Sequence, residues 1–296
     1  ALSRWLCDPQ LRSGQLAARV LANRIWFHLI GQGLVRTVDN FGLTGESPTH
    51  PELLDYLAGR LIASDWSVKS LIREIVLSRT FALSSGYDST GNNVDPDNRW
   101  LWKANRRRLD PESLRDAILT AAGKLDLAVM DSTVGYLQDQ ATAVGSNSVR
   151  RRTDFPCRSF YLPVIRNDLP EIFEAFDFAN PHVATGARPN TTAPGQALFV
   201  MNDPMVMEAA EATARRILSD EAANDLTAND LTARIQMLFQ RVTGGAASDR
   251  ALQSVGSFLE QTEARLIAEG VEDARLRAWT IGCHALFASS QFQFVE

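Results

Sequence analysis

"NRIWFHLIGQGLVRTVDNFGLTGESPTHPELLDYL", residues 23–57, contains the end of one helical pattern and the start of the next, and its reading decides the fold. Residues 14–30 are nearly continuous helix former, with Val20, Leu21, Ile25, Trp26 and Leu29 apolar. Gly31 and Gly33 end that run. Gly42, Gly45 and Pro48 predict a loop or short strands over 34–48. "THPELLDYLAGRLI" then restarts a helix, with Leu53, Leu54, Leu57 and Leu61 at helical spacing. The same stretch holds Asn23, Arg24, His28, Asp39, Asn40 and His50, residue types that also build active sites. They read as the polar skeleton of a helical fold. Asn23 and Arg24 lie inside an apolar helix, where an unpaired polar group costs about 1–3 kcal/mol, so both are expected to be structural.

Outward from this stretch, helix dominates. Ser67 caps "SVKSLIREIVLS", and 84–98 is a polar loop. "DPESLRDAILTAAGKL" carries the stripe Leu114, Ile118, Ala121 and Leu125. Residues 130–152 are polar and weakly patterned. "RSFYLPVI", near 158–166, is the clearest strand candidate. Val206, Ala209, Ala210, Thr213 and Ile217 share one face of a further helix. Three more follow near 229–243, 249–268 and 272–288, the last striped by Leu276, Trp279, Cys283 and Leu286. Asp110-Pro111 and Asp203-Pro204 each set an Asp cap before a Pro that has no N–H to leave unpaired. Thr49-x-x-Glu52 and Asp168-x-x-Glu171 have capping-box spacing. The expected fold is mainly α: one large helical domain over 1–296 with about ten helices and one short β element. Any sub-division is expected near 130–155.

Hydrophobic residues make up 45% and charged residues 22% of the 296, so a sizeable core needs no metal or disulfide staple. A net charge of −5 excludes a general polyanion binder. Cys7, Cys157 and Cys283 are too few and too scattered for a disulfide framework, and no CxxCH is present to attach haem c. No apolar run reaches the roughly 18 residues of a transmembrane candidate. "ALSRWLCDPQ" has no initiator Met and no signal-peptide pattern, so the chain reads as a piece of a longer or processed protein.

Several blocks, in order, resemble a known family. They are the opening stretch, "SDWSVKSLIREIVLSRTF", "DPDNRWLWKANRRRLDPESLRDAIL", "RSFYLPVIRNDLPEIFEAFDFANP" and "NTTAPGQALFVMND". Together they resemble the DUF1553 (PSD1) domain of planctomycete-type multidomain proteins. The resemblance implies a C-terminal domain preceded by a DUF1549 domain, a cytochrome c domain and a signal peptide. It therefore implies export to the periplasm or cell surface, and haem c upstream rather than in this chain. It implies no established activity. "GARPNTT" departs from the family's pattern, with Ala187 where an Arg is common, as does "TGGAAS" at Gly245 and Ala247.

Chemical motifs are sparse. His28, His50 and Asp39 have no metal-motif spacing such as HExxH, and no metal is expected. His50 reads as a helix start and His28 as bonding a backbone carbonyl. No GxSxG, GxGxxG or P-loop occurs, and no catalytic residue is assigned. The runs Arg106–Arg108 and Arg150–Arg152 hold guanidinium forks suited to carboxylate, sulfate or phosphate. Their main use is expected to be internal pairing with Asp97, Asp110, Asp116 and Asp177. Were 99–108 helical, Arg106, Arg107 and Arg108 would diverge, at least one pairing inward with Asp116 or Asp177 and at least one facing outward. Trp100 and Trp102 would offer a carbohydrate-stacking face only in an extended segment. In "NTTAPGQALFVMN", Thr191, Thr192, Gln196 and Asn202 bond without charge. A ligand pocket of Asn23, Arg24, Arg108, Arg166, Thr192 and Gln196 competes with a hydrogen-bonded polar core, which is favoured. With His28, His50, Arg106 and Arg107, these are the candidate ligand- or partner-contacting residues. The expected role is an interaction or scaffolding domain docking on its upstream DUF1549 and cytochrome c domains, with no nucleic-acid partner. The alternative is an enzyme or carbohydrate-binding module acting on acidic or sulfated polysaccharide.

Overall fold

Gly31 ends the helix of the deciding stretch in the left-handed region, at φ 89°, and its N–H closes back on Phe27 O. The computed structural model describes residues 1–130, 155–162, 164, 166, 169–219 and 231–295. The described chain is mainly α and falls into two compact units. One gathers residues 1–107 and 185–187, the other 108–184 and 188–295. The stretch 131–154, including Arg150–Arg152 and most of the expected sub-division, lies outside the described residues, as does Asp168.

The first unit contains α1 (Leu2–Cys7), α2 (Arg12–Ile30), α3 (Pro51–Ala63), α4 (Val68–Val76) and α5 (Ser89–Val94). Its core joins Ile25, Trp26 and Ile30 of α2 to Leu54, Leu57 and Leu61 of α3 and to Leu71 and Ile75 of α4. Each such side chain contributes about 1.5–3 kcal/mol by leaving water. The Ser67 hydroxyl caps α4 by accepting from Ser70 N at 3.3 Å. The expected Thr49 box is not formed. His50 takes the cap position of α3 without a side-chain capping bond, and Thr49 is used elsewhere: its N–H donates to Leu34 O at 2.8 Å and its Oγ1 to the same oxygen at 3.3 Å.

The N-terminal α1 is tied down by polar groups. Ser13 Oγ donates to Trp5 O at 2.8 Å, and Gln15 Nε2 to Pro9 O at 3.4 Å. Gly14 permits this closeness, since a Cβ there would meet Asp8 O at 2.0 Å. Yet α1 buries none of its residues.

The second unit holds α6 (Pro111–Ala122), α7 (Glu171–Ala175), α8 (Pro194–Asn202), α9 (Pro204–Ser219), α10 (Leu231–Thr243), α11 (Asp249–Ala268), α12 (Ala274–Phe287) and α13 (Ser290–Gln293). Helix α9 packs chiefly on α12. Its buried face, Val206, Ala209, Ala210, Thr213 and Ile217, is the one expected from spacing, and its small residues let the helices approach closely. Trp279, Cys283 and Phe287 of α12 complete the centre. Asp110 and Ser248 cap α6 and α11 through Ser113 N at 2.8 Å and Ala251 N at 3.3 Å.

The expected strand near 158–166 is corrected. Ser159–Tyr161 is a 3-10 turn, and Phe160 is 84% exposed. Helix α6 takes up the polar groups that a strand partner would otherwise satisfy. The Asp116 carboxylate accepts from Ser159 N at 2.8 Å and Ser159 Oγ at 2.7 Å. Arg115, 0% exposed, donates to Cys157 O at 2.9 Å, to Ser159 Oγ at 3.1 Å and to Phe155 O. The strands among the described residues are instead Arg107–Arg108 and Phe294–Val295, which pair in a two-stranded sheet. No helix among the described residues is long and apolar enough to cross a membrane.

Candidate functional site

A dense polar cluster among the described residues of the second unit grows from "RRL" and "NTTAPGQ". Arg108 leaves β1 (Arg107–Arg108) with its guanidinium largely buried, 5.4 Å from the centre of the Phe176 ring. Its Nη2 donates to Asp177 Oδ2 at 2.6 Å, and its Nη1 to Thr191 O and Gln196 Oε1. Asp177 sits at φ 60°, a left-handed backbone uncommon for a residue with a Cβ. Its carboxylate also accepts from Thr191 N at 2.8 Å and Thr191 Oγ1 at 2.9 Å. Gln196, at the start of α8, returns Nε2 to Thr191 O at 3.2 Å. Burial pushes the Asp177 carboxyl up. The Thr191 N–H and hydroxyl, with the Arg108 guanidinium, outweigh that and hold it below its ordinary 3.8.

This cluster satisfies itself. One cation meets one carboxylate, and the amide and hydroxyl groups spend their bonding capacity internally. It pins 177 and 191 to the start of α8 and leaves only the buried Arg108 Nε without a partner. Thr192 and Arg166 are exposed, and the Arg166 carbonyl lies 3.2 Å from His182 Nε2. Beside the cluster, Arg188 forks onto Glu112 at 2.6 and 2.8 Å.

In the first unit, Asn23 is 0% exposed and copies a backbone strand edge. Its Nδ2 donates to Val35 O at 3.0 Å and its Oδ1 accepts from Val35 N at 2.9 Å. Arg24 is half-buried. Arg107 Nη1 donates to His28 O at 2.7 Å, so His28 contributes its own carbonyl to the contact. Arg106 is exposed. His50 Nδ1 lies 2.9 Å from Thr49 Oγ1, and its ring meets the Trp100 ring edge-on at 5.4 Å. Asp39 is bound to Gly186 N at 3.0 Å.

Of the residues expected in a pocket, Asn23 and Arg24 belong to one unit, and Arg108, Arg166, Thr192 and Gln196 to the other. Of those residues the structure joins Arg108 and Gln196, through Asp177 and Thr191. Sequence reasoning offered Asp177 as a partner and missed Arg115, an arginine buried mid-helix. Among the described residues no three His, Cys, Asp or Glu side chains form a metal-binding group. Burial pushes the Cys283 thiol up to about 12 and raises Cys157, so neither supplies a thiolate at neutral pH. The shifted carboxylates Glu74, Asp177 and Glu211 are all lowered, and each is bonded to an arginine.

The family model PSD1, described as a protein of unknown function (DUF1553), matches residues 1–259. No curated protein and no solved structure matches the chain.

Proposed function

For a chain that belongs to the PSD1 (DUF1553) family, we propose an interaction and scaffolding role: it docks on the DUF1549 and cytochrome c domains that the resemblance sets upstream in an exported protein. The observation that carries this reading is α1. A helix tied down by Ser13, Gln15 and the missing Cβ of Gly14 still turns Leu2, Trp5 and Leu6 to solvent, with Trp5 54% exposed. Leu11 and Leu16 are exposed as well. Five large apolar side chains exposed within residues 2–16 suit a site of association. A groove of about 480 Å³ adjoins it, lined by Leu16, Arg12, Arg19, Asp55, Ala58 and Gly59. The self-satisfied Arg108 cluster fits the same reading, because it stiffens the fold without offering a reactive group.

The test is calorimetric titration of this chain with the upstream domains expressed separately. Trp5→Asp with Leu6→Asp is expected to weaken binding by about tenfold or more, as for loss of an aromatic anchor. The thermal midpoint should hold, since α1 buries nothing. Equal affinity in the variant, or no binding by the unaltered chain, overturns the proposal. Haem belongs to the upstream part in this reading, so this chain purified alone is expected to show no Soret band.

A further inference from the structure

The two tryptophans of "NRWLWK" are used in opposite ways. Trp102 is spent on the fold: its indole N–H donates to Asp95 O at 2.9 Å, and its ring lies where a Cβ on Gly91 would fall, at 2.6 Å. Trp100 is 64% exposed. It is nonetheless held firmly. The buried Asp95 carboxylate accepts from Trp100 N at 2.7 Å and from Arg99 N at 2.9 Å. Asn98, itself buried, ties Lys103 O and Asn105 Oδ1 at 2.9 Å each. Asn98 and Leu101 adopt left-handed backbone at φ 49° and 56°, and a leucine there is a true outlier. Strain of this kind persists only where surrounding bonds over-determine it, and it clusters at functional positions. The His50 ring braces Trp100 edge-on at 77°.

The loop thus fixes an aromatic face in water among polar neighbours. Asp97 and Arg99 of the same loop are exposed with it. A lone indole face with its negative quadrupole suits the polarised C–H face of a single sugar ring. Arg99, the preceding residue, has its backbone N–H held by the same carboxylate and is exposed, so its guanidinium is available to an acidic substituent. Single-stranded nucleic acid fits less well, because it calls for successive aromatics along a basic groove.

We propose that Trp100, backed by His50 and flanked by Arg99, is a stacking platform for one pyranose ring of an anionic polysaccharide bearing carboxylate or sulfate. The site shares no residue with the α1 docking face and stands or falls apart from it. Polygalacturonate, dextran sulfate, neutral dextran and a thymidine oligonucleotide are immobilised on sensor surfaces and probed with the intact chain. Binding to at least one of the two anionic polysaccharides is expected, and which one separates carboxylate from sulfate recognition. Trp100→Ala should weaken it about tenfold, and Trp100→Phe less. Arg99→Gln should weaken it too and reduce its salt sensitivity. Thermal midpoints should hold, because the Asp95 bonds are made to backbone N–H groups. No binding to either anionic polysaccharide, equal binding to neutral dextran, an unaffected Trp100→Ala, or stronger Trp100-dependent binding to the oligonucleotide overturns the proposal.

Discussion

Arg108→Gln is expected to lower the unfolding free energy by about 3–5 kcal/mol, because it leaves a largely buried carboxylate without its cation. The Asp177 side chain would keep the Thr191 bonds but lose the guanidinium, and Thr191 O and Gln196 Oε1 would each lose a donor. Urea unfolding followed by far-UV circular dichroism measures the loss, and a loss under about 1 kcal/mol would class the pair with exposed ion pairs. The same cluster sets an acid limit. The Asp177 carboxyl is lowered in the folded chain, so its contribution is complete above the ordinary carboxylate value of 3.8. That contribution fades as pH falls through the lower folded value. Arg108→Gln should therefore flatten the fall in stability below pH about 4 as well as lower the plateau.

Asn23→Leu is expected to cost about 2–6 kcal/mol, from two buried backbone groups of Val35 left unpaired at roughly 1–3 kcal/mol each. Asn23→Gln should not restore the loss, because the longer arm moves both ends of the amide off Val35. Arg24→Ala, one position along on a half-buried side chain, should cost under about 1 kcal/mol. Thermal denaturation of the three variants separates a residue bonded at both ends from one that merely shares its helix. Equal losses at 23 and 24 would return Arg24 to the structural skeleton that its sequence context suggests.

The helices were legible because their signals are local. Ser67 and Asp110 announce their caps, and the spacing of Val206, Ala209, Ala210, Thr213 and Ile217 gives the buried face of α9 directly. "RSFYLPVI" failed for the opposite reason. Its apolar content suits a strand, but its hydrogen-bond partners lie on Arg115 and Asp116, more than forty positions away in sequence. Strands of two residues, such as Arg107–Arg108, are too short to show alternation at all. The inward arginine pairing with Asp177 was anticipated from the run Arg106–Arg108. The helical geometry invoked for it was not found, since 99–100 is a turn and 107–108 a strand. Trp100 and Trp102 could not be told apart until Asp95 was seen to bind one by its backbone and the other by its indole.

Asp126 N donates to Pro156 O at 2.7 Å, and Asp126 bridges Cys157, while Arg115 and Asp116 grip 155–159 from α6. The chain on either side of 131–154 is therefore fastened to a common anchorage whatever joins it. A protease cut within 131–154 would sever the covalent thread without parting the pieces. The two fragments should elute together in gel filtration and separate only in denaturant.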